Sequence, residues 1–171
     1  MNDNEQQAQF ERLVMPHLDA AYNLARWLAG DDHDAEDIAQ EACVRAFRFV
    51  GGCRGSDGRG WLLAIVRNTA YSWLKKNRSQ RLVSTDDDEV AETEDPKGAA
   101  SSFSSADTAV LRTALEALPL EFREILVLRE LEELSYKEIA EVAGLPIGTV
   151  MSRLARARRQ LQDTLNSKGA V

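Results

Sequence analysis

The chain has 171 residues, with 21 Lys and Arg against 28 Asp and Glu, and is 44% hydrophobic and 29% charged. Those figures describe a soluble globular chain of one ordinary domain or two small ones, and they exclude collagen, mucin and a disulfide scaffold. No apolar run approaches the roughly 20 residues of a bilayer span, and the start, MNDNEQQAQFERL, has neither a positive n-region nor an apolar h-region, so a cytoplasmic protein without membrane insertion is expected. Cys43 and Cys53, the two cysteines, match no metal spacing and fit a reducing compartment.

The net charge of −7 would argue against a nucleic-acid partner if it were spread evenly, and it is not. Residues 1–81 hold 11 basic and 11 acidic side chains, and residues 109–171 hold 9 of each. The segment 82–108, LVSTDDDEVAETEDPKGAASSFSSADT, sets Lys97 against eight acids and so carries the whole surplus. Rich in Ser, Asp and Glu with a single Phe, it cannot bury enough apolar area to offset its ordering entropy. The expected organisation is therefore a domain over 1–81, a flexible acidic linker over 82–108 and a second domain over 109–171.

Both domains read as helices, which makes the fold class all-α. Phe10, Leu13, Val14, Leu18, Ala21, Leu24, Ala25 and Leu28 recur at three- and four-residue steps, the period of one amphipathic helix stopping near Gly30. A second helix is expected to begin at Asp34, with Asp37 three residues on and an apolar face of Ala35, Ile38, Ala39, Ala42, Ala46 and Phe49. GGCRGSDGRG at 51–60 holds five of the ten glycines and reads as irregular. A third helix follows from Trp61 to about Asn77, burying Leu62, Ile65, Val66, Thr69 and Trp73.

In the second half, Val110, Leu111, Ala114, Leu115 and Leu118 form one stripe, and Pro119 restarts the chain as a first-turn proline ahead of Phe122, Ile125, Leu126 and Arg129. The most specific local signal is LSYKEIAEVAGLPIGTVMSRLARARRQLQ at 134–162. Ser135 caps a short helix with Glu138 at the capping-box position, Ile139, Ala140 and Val142 are its apolar side, Gly144 supplies a left-handed turn, and Pro146 opens the next helix. This is the arithmetic of a helix-turn-helix, whose second helix is free to enter a major groove. Ile147, Val150, Leu154, Ala157, Leu161 and Leu165 are expected inward, and Thr149, Ser152, Arg153, Arg156 and Gln160 outward. A solvated basic face at a helix C-terminal half would show the same arginines, but not the coincident cap, glycine turn and proline start.

On the helix after the glycine loop, Arg67, Tyr71, Lys75 and Arg78 follow one another beside Asn68, and basic groups interleaved with an aromatic suit single-stranded nucleic acid. An ordinary solvated face would look similar. The glycine loop is no Walker loop or dinucleotide fingerprint, and its Gly52-Cys53-Arg54-Gly55 lacks the sheet that a KH domain needs. His17 and His33, the two histidines, read as structural or solvated; no catalytic set, metal box or cofactor site is expected. Cys43 adjoins Phe47 and reads as core, whereas Cys53 reads as exposed.

Taken together, two motif groups resemble those of the extracytoplasmic-function (ECF) sigma factors, sigma subunits of bacterial RNA polymerase. Asp34-Ala35-Glu36-Asp37-Ile38-Ala39-Gln40-Glu41 is similar to the DAEDLVQE segment of sigma region 2, and Trp61-Leu62 through Asn68-Thr69-Ala70 resembles the helix after its promoter loop. Leu118-Pro119 to Arg123, and Leu134 to Arg153 across the helix-turn-helix, resemble sigma region 4. The resemblance implies that Asp34, Glu36, Asp37, Gln40 and Glu41 dock on core RNA polymerase. It implies that Arg54, Arg59, Trp61, Arg67, Asn68, Tyr71 and Lys75 meet the melted minus-10 strand, and that Thr149, Ser152, Arg153 and Arg156 read the minus-35 duplex. The acidic linker would run through the polymerase's RNA channel as a polyanion mimic, and the protein itself would do no chemistry. Many members of the family are held by an anti-sigma factor. Met151 and Ala155, where longer or charged residues are common, and Cys53 in an unusually glycine-rich loop depart from the family's pattern, so neither promoter element follows by analogy. Little chain follows Asn166, which predicts no regulatory tail. A dimeric helix-turn-helix regulator is the competing reading, and an all-helical enzyme or scaffold the third.

Overall fold

The computed structural model describes residues 1–55, 57–83 and 105–169. Among them are eight α-helices and no strand, and the chain divides into two units of its own contacts. The expected acidic linker lies, over 84–104, outside the described residues.

The first helix, α1 (Asp3–Leu13), starts earlier than the apolar pattern suggests, because Asn2 and Glu5 form a capping box in which Asn2 Oδ1 accepts from the Glu5 amide at 2.9 Å. The single helix expected up to Gly30 is two. Pro16 has no amide hydrogen and its ring opposes the carbonyl four residues back, so α1 ends at Leu13, a 3-10 turn at Met15–His17 redirects the chain, and α2 (Leu18–Ala29) restarts. Gly30 ends α2 as expected, with φ 74°, where a side chain would be strained.

Helix α3 (Asp32–Phe49) is capped by Asp31 rather than by Asp34: Asp31 Oδ1 accepts from the amides of His33 and Asp34 at 2.7 and 3.2 Å. Ala35, Ile38, Ala42 and Ala46 are fully buried, and the alanines let α2 and α4 approach closely. Phe49, expected inward, is exposed, because the chain tightens into a 3-10 turn at Val50–Gly52 and Val50 takes the buried position. Helix α4 (Arg59–Val83) begins two residues before Trp61, its first turn held by Asp57 Oδ1, which accepts from the Arg59 amide at 2.9 Å. Leu62, Leu63, Val66, Thr69 and Ala70 are its buried face, while Ile65 and Trp73 are only half-buried.

In the second unit α5 (Ser105–Glu116) buries Ala114 and Leu115, followed by Leu118, but leaves Val110 and Leu111, expected on the same stripe, exposed near its start. Pro119 stands at the N-cap of α6 (Leu120–Leu126), one position before the first turn. The chain then widens into a π-helical segment, Val127–Leu131, closed by the Glu132 amide donating to the Val127 carbonyl at 3.0 Å. Glu133 leaves it at φ 56°, the one positive φ outside glycine among the described residues. Helices α7 (Tyr136–Ala143) and α8 (Ile147–Gly169) complete the unit, with α8 packed on α5, α6 and α7.

Candidate nucleic-acid interface

The helix-turn-helix forms as its residues dictate. Ser135 Oγ accepts from the Glu138 amide at 3.1 Å, Gly144 turns with φ 67°, and the Val150 amide donates to the Pro146 carbonyl at 3.1 Å. Ile139, Val142 and Ala143 of α7 and Val150, Leu154 and Ala157 of α8 are buried together, which fixes one α8 face inward. Leu161 and Leu165 are half-buried, and Ile147, expected inward, is exposed because it precedes the stretch that α7 covers. Of the candidate readers, Ser152 and Arg156 are fully outward, and Thr149 and Arg153 lie half-buried on a flank. The Ser152 hydroxyl donates back to the Thr149 carbonyl at 3.1 Å, which holds it against the helix. Arg158 points elsewhere, into an ion pair with Glu130 at 2.7 Å, and Arg129 lies 4.8 Å from the centre of the Tyr136 ring while Nη1 donates to the Leu134 carbonyl.

In the first unit, Trp61, Asn68, Tyr71 and Lys75 fall on the α4 face opposite Leu62, Val66 and Ala70, as a 3.6-residue period requires. The Arg67 guanidinium covers the Tyr71 ring at 4.1 Å from its centre and Nη1 donates to Asn68 Oδ1 at 3.2 Å, so these three form one polar and aromatic cluster. Arg59 is half-buried in the first turn, and Arg54 is exposed in the loop. That loop is pinned at Gly58, which is buried against the Leu13 carbonyl, and Asp57 Oδ1 lies 3.2 Å from His17 Nε2. Arg78, the last basic residue of the expected stripe, has its side chain outside the described set.

The acidic candidates occupy α3. Glu36, Asp37 and Gln40 are exposed, Asp34 is half-buried, and Glu41 is paired with Arg45 at 2.6 Å. Burial first, and then the carboxylates of Asp32 and Glu36, push the nearby Tyr22 phenol up, a sign of the negative potential at this end of the helix. Exposed Val44 and Phe47 stand seven residues beyond Asp37 and Gln40, two turns along the same lines. Sequence reasoning missed this apolar extension, although the heptad spacing would have revealed it. Phe47 meets Phe10 edge-on at 5.4 Å.

Cys43 is half-buried rather than core and Cys53 half-buried rather than exposed; burial is the leading cause that pushes both thiols up, which disfavours the reactive thiolate. Among the described residues no group of three or more His, Cys, Asp or Glu could hold a metal, and no helix is long and apolar enough to cross a membrane.

Residues 13–80 match the family Sigma-70 region 2, and residues 108–161 match Sigma-70, region 4. The chain is similar to the ECF RNA polymerase sigma factor SigE of Mycolicibacterium smegmatis, 38% identical over 157 residues that cover 91% of this chain and 61% of that protein. It is also similar to the RNA polymerase sigma-H factor of Pseudomonas aeruginosa, 35% identical over 91% of this chain and 86% of that protein. Among solved structures, it resembles the sigma factor RpoE of Bartonella quintana, seen in complex with the anti-sigma factor NepR, with TM-score 0.76 and 28% identity over 90% of this chain and 94% of that one. Two sigma regions in this order, each folded around the motifs that announced it, show that the chain belongs to the ECF sigma factors, the promoter-recognition subunits of bacterial RNA polymerase.

Proposed function

We propose a division of labour along the chain: residues 1–81 dock on core polymerase through α3 and take the melted minus-10 strand on α4, residues 109–171 read the minus-35 duplex with α8, and residues 82–108 join them. The observation that carries this reading is the α8 face, where Ser152 and Arg156 stand outward, directly opposite the buried line of Val150, Leu154 and Ala157. Short hydroxyls near the start of a recognition helix suit base edges, and an arginine further along can bind guanine bidentately. On α4, Tyr71 with Arg67 on its ring offers a base a stacking edge, and Asn68 and Lys75 offer hydrogen bonds and charge along the same face. On α3, Glu36 and Asp37 offer fixed carboxylates to a basic surface, and Val44 and Phe47 extend it with apolar area.

The protein performs no bond chemistry in this account; phosphodiester synthesis belongs to the core enzyme, which places it in the cytoplasm beside the chromosome. An anti-sigma factor is a further partner, on the strength of the likeness to RpoE in its complex with NepR. Two substitutions test the assignment. Arg156→Ala is expected to lower initiation most at promoters keeping the original upstream element, by about 1–3 kcal/mol for a lost base contact; an equal loss on every altered element would make Arg156 a phosphate contact instead. Asp37→Arg is expected to weaken association with core polymerase while the second unit's DNA contact stays unchanged. Unaltered core affinity would remove Asp37 from the docking surface.

A further inference from the structure

Arg153, Arg156, Arg158 and Arg159 of α8 read in sequence alone as one basic tract. The structure separates them. Both Nη2 and Nε of Arg158 donate to Glu130 Oε1, at 2.7 and 3.2 Å, tying α8 to a residue 28 positions earlier in the π-helical segment. That hydrogen bond is also the first cause that raises the Arg158 pKa, with Tyr136 adding to it. Arg158 is therefore held against its own domain, on a flank of the helix.

Arg159 is placed differently. It follows Ser152 by seven residues, so it lies within about 20° of the same outward line and about 10 Å further along the axis. It is exposed, and it makes no ion pair or hydrogen bond among the described residues, although Asp163 stands one turn beyond it. Between Ser152 and Arg159 the outward line is flanked by Arg156 on one side and on the other by Ala155, whose small side chain leaves that side of the helix free to lie close to a surface. From Ile147 to Arg159 the axis runs about 18 Å, longer than the roughly 12 Å width of a major groove. When the start of α8 is seated among base edges, Arg159 reaches past the groove to the sugar-phosphate wall.

We infer that Arg159 is a further DNA contact of this protein, binding a backbone phosphate at the groove's edge, and that Arg158 makes none. This rests on the reading of α8 as the recognition helix. A phosphate contact adds affinity without sequence information and releases a condensed counterion, so its loss reduces the salt slope of binding by about 0.9.

The test uses the full chain and two fluorescently labelled 40-base-pair duplexes, one from a promoter whose start this protein directs and one of unrelated mixed sequence, titrated by anisotropy over a series of KCl concentrations. Arg159→Gln is expected to weaken both duplexes by the same factor and to lower the slope of log K against log[KCl] by about 0.9. Arg158→Gln is expected to leave the slope unchanged, and melting curves establish that each variant is folded. An unchanged slope for Arg159→Gln, with Arg156→Gln weakened, would overturn the assignment of Arg159 alone. A slope lowered equally by Arg158→Gln would overturn the separation of the two residues. Binding unaffected by all three substitutions would overturn the recognition-helix reading beneath the inference.

Discussion

Gly58 and Gly60 stand two residues apart at the entry to α4, and alanine at the two positions should have opposite effects. A Cβ added to Gly58 would lie 2.1 Å from the Leu13 carbonyl oxygen, 2.8 Å from its carbon and 2.9 Å from the Leu13 Cβ. Real contacts of this kind do not fall below about 3.0 Å, so the loop and the end of α1 must separate by roughly 1 Å, and backbone is involved on both sides. Overpacking of that sort costs about 1–3 kcal/mol. In a unit of this size each kcal/mol moves the midpoint by about 4–8 °C, so Gly58→Ala should lower the first unit's Tm by roughly 5–20 °C. At Gly60 a Cβ meets nothing within 4 Å and the residue is already in the helix, so Gly60→Ala should be neutral or stabilise by about 0.4–1 kcal/mol. Thermal unfolding of the full chain followed by circular dichroism compares the two. Equal shifts, or a Gly58→Ala protein as stable as the parent, would refute the packing of the glycine loop against α1.

Glu133 holds φ 56° as the chain leaves the π-helical segment, so Glu133→Gly should stabilise the second unit by about 1 kcal/mol, read as a shift in its urea midpoint; an unchanged or lower midpoint would show that the left-handed turn carries no strain. Val44→Lys, on the exposed α3 line beyond Asp37, should weaken core binding measured by surface capture, with no change in thermal stability, and unaltered affinity would confine docking to the carboxylates. Burial raises the Cys43 thiol, so the folded state holds its proton more tightly than the unfolded state does. The associated stability is present below the unfolded thiol's pKa and is lost as pH rises through the folded one. At pH 8, iodoacetamide should therefore modify Cys43 more slowly in the native chain than in urea, as peptide mass analysis would read, and equal rates would contradict the burial.

Local signals that carry their own partners are legible in the amino-acid sequence. Gly30, Ser135, Gly144 and Pro146 each satisfy or terminate backbone groups within a few residues, and each performs the expected role. The α4 face is equally readable, because a 3.6-residue period over a long helix fixes which side chains share a side. Choices among near-equivalents are not. Asp31, Asp32 and Asp34 are all competent caps, and only the backbone of the preceding turn selects Asp31. Pro16 interrupts an apolar pattern that continues in phase on both sides of it, so periodicity alone reads through the break. Phe49 looks inward by period, but the helix has tightened by then and Val50 replaces it. The distinction between Arg158 and its neighbours depends on Glu130, 28 residues away, which no local window contains.

Run-off transcription reads promoter recognition itself: purified bacterial core RNA polymerase on a genomic promoter library, with and without this protein, followed by mapping of the start sites. A promoter-recognition subunit gives new discrete starts that share two upstream elements, that weaken with Arg156→Ala at the upstream element and that require core polymerase. No new starts from a core enzyme that responds to another sigma factor, together with a palindromic footprint by this protein alone, would contradict that role.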